Sequence, residues 1–307
     1  MTTEQDSKDL PDIEVGEDHV LAHNVDEEPV EANRRLFEGG LLKFVALLAI
    51  AYSAFHLYSL NIAPLETWSF RIVHIAGALV LGFVLFAGAR FVSSEEGGAR
   101  HRWTTWISAG AMLPALYVLY QTFSFWQMVQ NGAMRIPVEL EVWHFGWPLL
   151  AATGVGIVMS WFHQRERSVF SVPDLVLIVC SLAVAAYFLV VYNTSMRMST
   201  GTSFAPVGIS FAAIAGTALI MELTRRVAGM ALGIIGLVFL AYVFAGPYLP
   251  GFLGYPGLSV QRFFSQVYTD AGILGPTTAV SSTYIILFII FAAFLQSSKV
   301  GDYFVNF

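Results

Sequence analysis

Long uninterrupted apolar runs, such as LLKFVALLAIAYSAFHLYSL (41–60) and SSTYIILFIIFAAFLQSS (281–298), constrain this chain more than any other feature. A stretch of about 18 or more apolar residues is long enough to cross the hydrocarbon of a bilayer. Inside lipid every backbone N–H and C=O must be satisfied within its own segment, so such a stretch becomes a helix. Eight runs meet this description: roughly 41–60, 72–91, 105–125, 143–162, 175–195, 205–222, 229–247 and 280–298. The predicted fold class is therefore an all-α integral membrane protein of about eight transmembrane helices. Composition agrees, with 56% hydrophobic and 12% charged residues, where soluble domains carry about 25% charged residues.

Charge is unevenly spread. Residues 1–40 hold 12 Asp/Glu against Lys8, Arg34 and Arg35, a net charge of −9. They read as a disordered acidic tail rather than a signal peptide, lacking a basic start and a short apolar core. With the tail cytoplasmic and eight spans, 12 of the 16 Lys/Arg fall on inside segments, and only Arg71, Arg135, Arg197 and Arg262 fall outside. The positive-inside rule thus predicts a multi-pass protein of the inner or plasma membrane with its N-terminus cytoplasmic. Cys180 is the only cysteine, which excludes an internal disulfide and a cysteine metal cage. Its place in an apolar run marks it as a small core residue.

The outside connection 248–279 has a pattern of its own. In SVQRFFSQVYTD, apolar residues fall at Val260, Phe263, Phe264, Val267 and Tyr268, one face of a short amphipathic helix. Ser259 is placed to cap it. The helix is expected in the membrane interface; packing on an extramembrane core is the alternative. Helix–helix packing is signalled by small residues: Gly208, Ala212 and Gly216 on one face of the sixth run, and Gly229 with Gly233 as a GxxxG in the seventh. The spans WTTWISAGAMLPALYVLYQTF (103–123) and VPDLVLIVCSLAVAAYFLVVYNT (172–194) both close on a Tyr-rich turn. They admit either a duplicated helix pair or shared lipid-facing composition.

Ionisable groups deep in a membrane mark ion paths or substrate sites, and the span centres hold almost none. Lys43, Arg90, Asp174 and Glu222 all fall at span ends, where side chains are expected to reach the headgroups. Glu222 and Arg226 form an i, i+4 pair at the inner boundary, with Arg225 holding the short turn that follows. At the outer boundary, Trp68 suits the aromatic belt, and Glu66 with Arg71 reads as an exposed pair. No phosphate-cradling glycine loop, HExxH or nucleophile elbow is present, so no enzymatic activity is expected. Basic and aromatic residues are not interleaved as a nucleic-acid surface requires. His56 and His74 fall near one outer level on adjacent spans, where two imidazoles could ligate a haem or serve as hydrogen-bonded packing residues. His144 and His163 cap opposite ends of one span.

The pieces ETWSFRIVHIAGALVLGFVLF (66–86), MELTRRVAG (221–229), LVFLAYVFAGPYLPG (237–251) and SVQRFFSQVYTDAGILG…VSSTYIILFIIFAAFLQSSKVGDYFVNF (259–307) occur in this order. Together they resemble the fused membrane permeases of tripartite ATP-independent periplasmic (TRAP) transporters, in the branch served by TAXI-type binding proteins. The resemblance implies a small-subunit-like scaffold over 41–250. Residues 251–307 would then be the interfacial helix and the truncated start of a large transport subunit. It further implies import of organic acids driven by a sodium gradient, with no bound cofactor. The implied partners are an extracytoplasmic TAXI-type solute-binding protein, the remainder of the large subunit and the lipid bilayer. The family's sodium and substrate sites would lie beyond residue 307, so no substrate-binding, catalytic or metal residue carries over. Two departures stand out: residues 103–168 add a helix pair, and Gln296 occupies a position expected to be acidic. The competing expectation is a haem-binding membrane anchor of a redox enzyme using His56 and His74.

Overall fold

The computed structural model describes residues 33–89, 91, 102–164, 167–191, 202 and 205–300; the predicted tail over 1–32, like Arg90 and Arg197, lies outside them. Among the described residues nine helices follow in order: α1 Gly39–Asn61, α2 Thr67–Leu85, α3 Arg102–Gln130, α4 Leu140–Phe162, α5 Val172–Val191, α6 Val207–Val227, α7 Met230–Ala245, α8 Val260–Val267 and α9 Pro276–Ser297. Seven of them, all but α3 and α8, are long and apolar enough to cross a membrane. The 29-residue α3 is longer but less apolar and carries Pro114 in its interior.

At the centre of the bundle stands α5. Val176, Leu177, Cys180, Ala183, Val184, Tyr187, Phe188 and Val191 recur at spacings of three and four and are 0–3% exposed. That periodicity places a continuous apolar stripe along one side of the helix, against which α2, α3, α4 and α6 pack. Cys180 is a core residue, as its sequence context predicts. By contrast, the spanning windows of α1 and α7 are only 11% buried and that of α9 only 6%, against 67% for α5. These three helices turn most of their apolar surface outward, as lipid or another helix would require.

The loops follow from local chemistry. α6 and α7 are joined at Ala228 and Gly229, where Gly229 has φ +87°, a left-handed conformation that glycine adopts without penalty. Pro247 and Pro250 end α7 as expected, the chain passing into a short 3-10 turn at Gly246–Tyr248. Ser259 caps α8, its hydroxyl accepting the Arg262 N–H at 3.3 Å. Phe263 and Phe264 pack on Phe244 of α7, while Tyr268 stacks on Phe188 with ring centroids 4.8 Å apart. Most of the amphipathic face thus packs on the bundle, Phe264 and Tyr268 belonging to its core, while Val260 at the start of α8 stays exposed.

The small-residue faces divide. A Cβ added at Gly208 would stand 2.2 Å from the Tyr187 hydroxyl, and one at Gly216 would stand 2.6 Å from the Tyr268 ring. Both glycines are required for close approach. The GxxxG of α7 is not used this way: nothing lies within 4 Å of a Cβ at Gly229, and only the Arg225 Cβ, at 3.9 Å, near one at Gly233. Its first glycine serves the turn, which explains the pattern without a helix contact. Gly216→Ala should therefore cost about 1–3 kcal/mol, the usual penalty for overpacking, because Tyr268 is pinned by Phe188. Gly233→Ala should stay within about 0.5 kcal/mol of the parent. Thermal unfolding in detergent reads both.

Candidate functional site

Three polar clusters interrupt the apolar bundle, and two of them differ from the sequence expectation. The first lies where α6 ends and α5 begins. Asp174 accepts from Arg226 Nη1 at 2.8 Å and from Arg35. Glu222 accepts from Arg226 Nε at 2.8 Å, from Arg225 Nη2 at 2.7 Å and from the Trp161 indole at 2.9 Å. The predicted i, i+4 pair is present. The expectation that Asp174 and Glu222 reach the headgroups is corrected: they are 1% and 4% exposed, with Arg35 and Arg226 each 4% exposed. Lys43, the other described residue of that set, is exposed.

Arg35 explains the difference. The reading of 1–40 as one solvated tail fails at its end, because residues 33–38 form an extended segment entering the bundle. Arg34 bridges Phe86, the Arg35 N–H donates to the Leu85 carbonyl at 2.8 Å, and the Ala87 N–H donates to Asn33 O at 2.9 Å. The Arg35 guanidinium also donates to the Phe83 and Val84 carbonyls at 2.8 and 3.0 Å. Helices end with unsatisfied carbonyls, and α2 has its last ones met by three arginines: Arg35, Arg226 on Phe86 at 3.0 Å and, just beyond, Arg225 on Gly88 at 2.9 Å. Arg225 thus holds the exit of α2 rather than the turn after α6. Three guanidiniums against two carboxylates leave one surplus positive charge, and Arg225, the most exposed of the three at 19%, sits at the rim. Within the cluster, Arg226 Nη2 is buried without a hydrogen-bond partner among the described residues.

The second cluster lies at the other end of α6. Glu141, 1% exposed, accepts from the Tyr187 hydroxyl at 2.7 Å and from the Gly208 N–H at 3.2 Å. Sequence reasoning missed Glu141, because it began the fourth span at 143. The helix opens earlier through a π-helical stretch, Leu140–Gly146, which turns the carboxylate inward toward the first turn of α6. A carboxylate there also complements the helix dipole. Gly208 and Glu222 are separated by about 20 Å along α6, so α5 and α6 are fastened at both ends.

The third cluster joins α1, α2 and α9. His56 Nε2 and His74 Nδ1 are 2.9 Å apart; His56 Nδ1 is 2.8 Å from the Tyr52 carbonyl, and His74 Nε2 is 3.2 Å from Ser281 Oγ. The Tyr52 hydroxyl lies 2.9 Å from the His74 carbonyl and 2.8 Å from its Nδ1. Because α2 starts at Thr67 rather than 72, the pair lies deeper than expected, about 10 Å below the start of α2 and about 8 Å from the end of α1. The nitrogens that would have to face a haem iron face each other across a hydrogen bond. In this arrangement the two rings are engaged with each other, with the Tyr52 carbonyl and with Ser281, as hydrogen-bonded packing residues are.

At the outer boundary, Trp68 is 2% exposed and belongs to the core rather than to an aromatic belt. Glu66 occupies the N-cap position of α2. Arg71 donates to the Leu274 carbonyl at 2.8 Å and lies 3.7 Å from Asp270, tying α2 to the loop before α9. His144 and His163 remain at opposite ends of α4, bonded to Tyr117 at 2.6 Å and Thr104 at 2.8 Å of α3. No group of three or more metal-ligating side chains occurs among the described residues. Comparisons with protein-family models, with curated proteins and with solved structures returned no match.

Breaking one member of a buried, paired charge cluster costs about 3–5 kcal/mol, since the partner is left uncompensated. Asp174→Ala removes the carboxylate that Arg35 and Arg226 share, leaving three guanidiniums to Glu222 alone, and should lose about that much in thermal or denaturant unfolding. A loss below about 1 kcal/mol would mean that the cluster is solvated.

Proposed function

We propose that this chain is the stationary scaffold of a TRAP-type, ion-gradient-driven importer of organic acids. It would work with a TAXI-type extracytoplasmic binding protein and with further transport helices. One observation carries the reading: the buried charges are committed to one another. Asp174, Glu222, Arg35 and Arg226 pair across the 33–38 segment, α5 and α6, and Glu141 is held by Tyr187 and Gly208. A body that carries a solute or a sodium ion across the membrane needs polar groups that can change partners. A body that braces a moving neighbour needs them fixed.

The exposed flanks suit the same role. α1, α7 and α9 offer wide apolar faces on the edge of a tightly packed centre, the arrangement that lipid on one side and partner helices on another would use. The finer topology we propose is eight crossings, counting α3. Its 29 residues span about 43 Å, more than the about 30 Å of hydrocarbon. Trp103 and Trp106 at its start accompany Trp161 at the end of α4, and Trp126 near its end accompanies Trp143 and Trp147 at the start of α4. All six are 44–77% exposed, as two interfacial belts would be. With eight crossings, the Lys/Arg distribution would favour a cytoplasmic N-terminus in an inner or plasma membrane. Packed on the bundle, α8 would lie at the outer interface as a wedge rather than floating on lipid.

Affinity purification of the chain from its own membrane should bring down a transport subunit and an extracytoplasmic binding protein. In liposomes, the 307-residue chain alone should accumulate no organic acid under an imposed sodium gradient. Accumulation by the isolated chain would overturn the scaffold assignment.

A further inference from the structure

The histidine cluster plays no part in the scaffold reading, and its hydrogen bonds have a direction that geometry fixes. The Tyr52 carbonyl can only accept, so His56 Nδ1 donates to it at 2.8 Å. A neutral His56 then presents Nε2 as an acceptor, and the 2.9 Å bond between the rings is donated by His74 Nδ1. That leaves His74 Nε2 without a proton, accepting from the Ser281 hydroxyl at 3.2 Å. The Tyr52 hydroxyl donates to the His74 carbonyl at 2.9 Å, and its oxygen, 2.8 Å from His74 Nδ1, shares that N–H with His56 Nε2. The chain therefore runs from Ser281 on α9 through His74 on α2 to His56 and Tyr52 on α1.

His74 lines a cavity of about 450 Å³ between α2, α6 and α9. Ser281 lines it too, together with Thr277, Thr278 and Thr224. Ser281 opens the π-helical stretch Ser281–Ile285 within α9. Such interruptions inside helices occur often at functional sites.

We propose that the His56–His74 pair is a single-proton binding site, loaded at His74 Nε2 from this cavity, whose occupancy sets how firmly α9 is held against α2. An arriving proton turns the Ser281 contact around. His74 Nε2–H then donates to Ser281 Oγ, and the serine hydrogen rotates toward the Thr277 carbonyl one turn back, the usual helical partner of a serine side chain. The contact becomes charge-assisted, a class about twice as strong as neutral hydrogen bonds. A second proton is excluded by geometry, since it would set two N–H donors against each other at 2.9 Å.

The groups facing the pair are few. From α1 comes Tyr52, with Phe55 edge-on to His56. From α2 come Phe70 against His56 and, one turn before His74, Arg71, whose charge is engaged with Leu274 O and Asp270. α9 contributes Ser281, Thr277 and Thr278, and α6 contributes Thr224, none of them charged. Among the described residues no facing carboxylate is placed to neutralise the imidazolium, so its charge is held by hydroxyls. The inference stands apart from the scaffold assignment and tests separately.

The test uses the full chain in lipid nanodiscs, with ¹⁵N-labelled histidine and, in a second sample, a nitroxide at Phe288→Cys. Phe288 is 70% exposed on α9, whereas Cys180 is fully buried and does not compete for the label. As pH falls from about 8 to about 4, the range in which protein imidazoles take up protons, the pair should bind one proton in a step shared by both rings. The α9 label should lose mobility in the same step. Ser281→Ala, which removes one hydroxyl from a helix with little buried surface, should shift the imidazole step and abolish the pH response of the label. His74→Gln should abolish both. Independent titration of two protons, no titration of either ring, or a pH response of α9 that survives Ser281→Ala would each overturn the proposal.

Discussion

A guanidinium held between two carboxylates, away from water, is the constraint on which the rest of this structure depends. Arg226 reaches Glu222 on its own helix and Asp174 on α5, each at 2.8 Å. Asp174 in turn holds Arg35, which closes the carbonyl end of α2. In a low-dielectric interior such a cluster adds little net stability over an apolar replacement, but it is costly to break. Its effect is to fix register. Sliding α5 against α6 by one turn would strand charges, whereas sliding two purely apolar helices would strand nothing. The Tyr187–Glu141–Gly208 contact fixes the far end in the same way.

The two ends of this frame leave the flanking helices free of such ties. α7 and α9 are held by apolar contact, and α9 in addition by a single serine–histidine bond. A centre tied by buried charge, with edges held by apolar contact, would suit the proposed brace: it would supply a fixed surface against which neighbours could move.

Much of this architecture was legible in the sequence. The apolar runs fell on all seven membrane-length helices, with ends displaced by up to six residues, because lipid demands both the length and the backbone bonding of each span; the eighth run fell on the less apolar α3. Ser259 and Pro247 marked real boundaries, since a cap and a missing N–H act locally. What stayed hidden was contact between distant segments. Asp174 and Glu222 looked like span-end charges free to reach the headgroups, because hydropathy is read along one segment and Arg35 lies 139 residues from Asp174 inside an acid-rich tail. Glu141 was hidden by the π-helical stretch that rotates it inward. Trp68 looked interfacial because α2 was expected to start five residues late. Gly208 and Gly216 were found, but the rule that found them also selected Gly229 and Gly233, which serve a turn and an open face.

The central claim is that α5 and α6 form one rigid body fastened by buried charge. Spin labels at Leu182→Cys on α5 and Val227→Cys on α6, positions 41% and 46% exposed, measure it directly by pulsed dipolar spectroscopy in nanodiscs. The account predicts a single narrow distance distribution, the same with and without sodium and organic acid, that broadens when Asp174→Asn is added. A broad or two-peaked distribution in the parent protein, or a narrow one that survives Asp174→Asn, would contradict it.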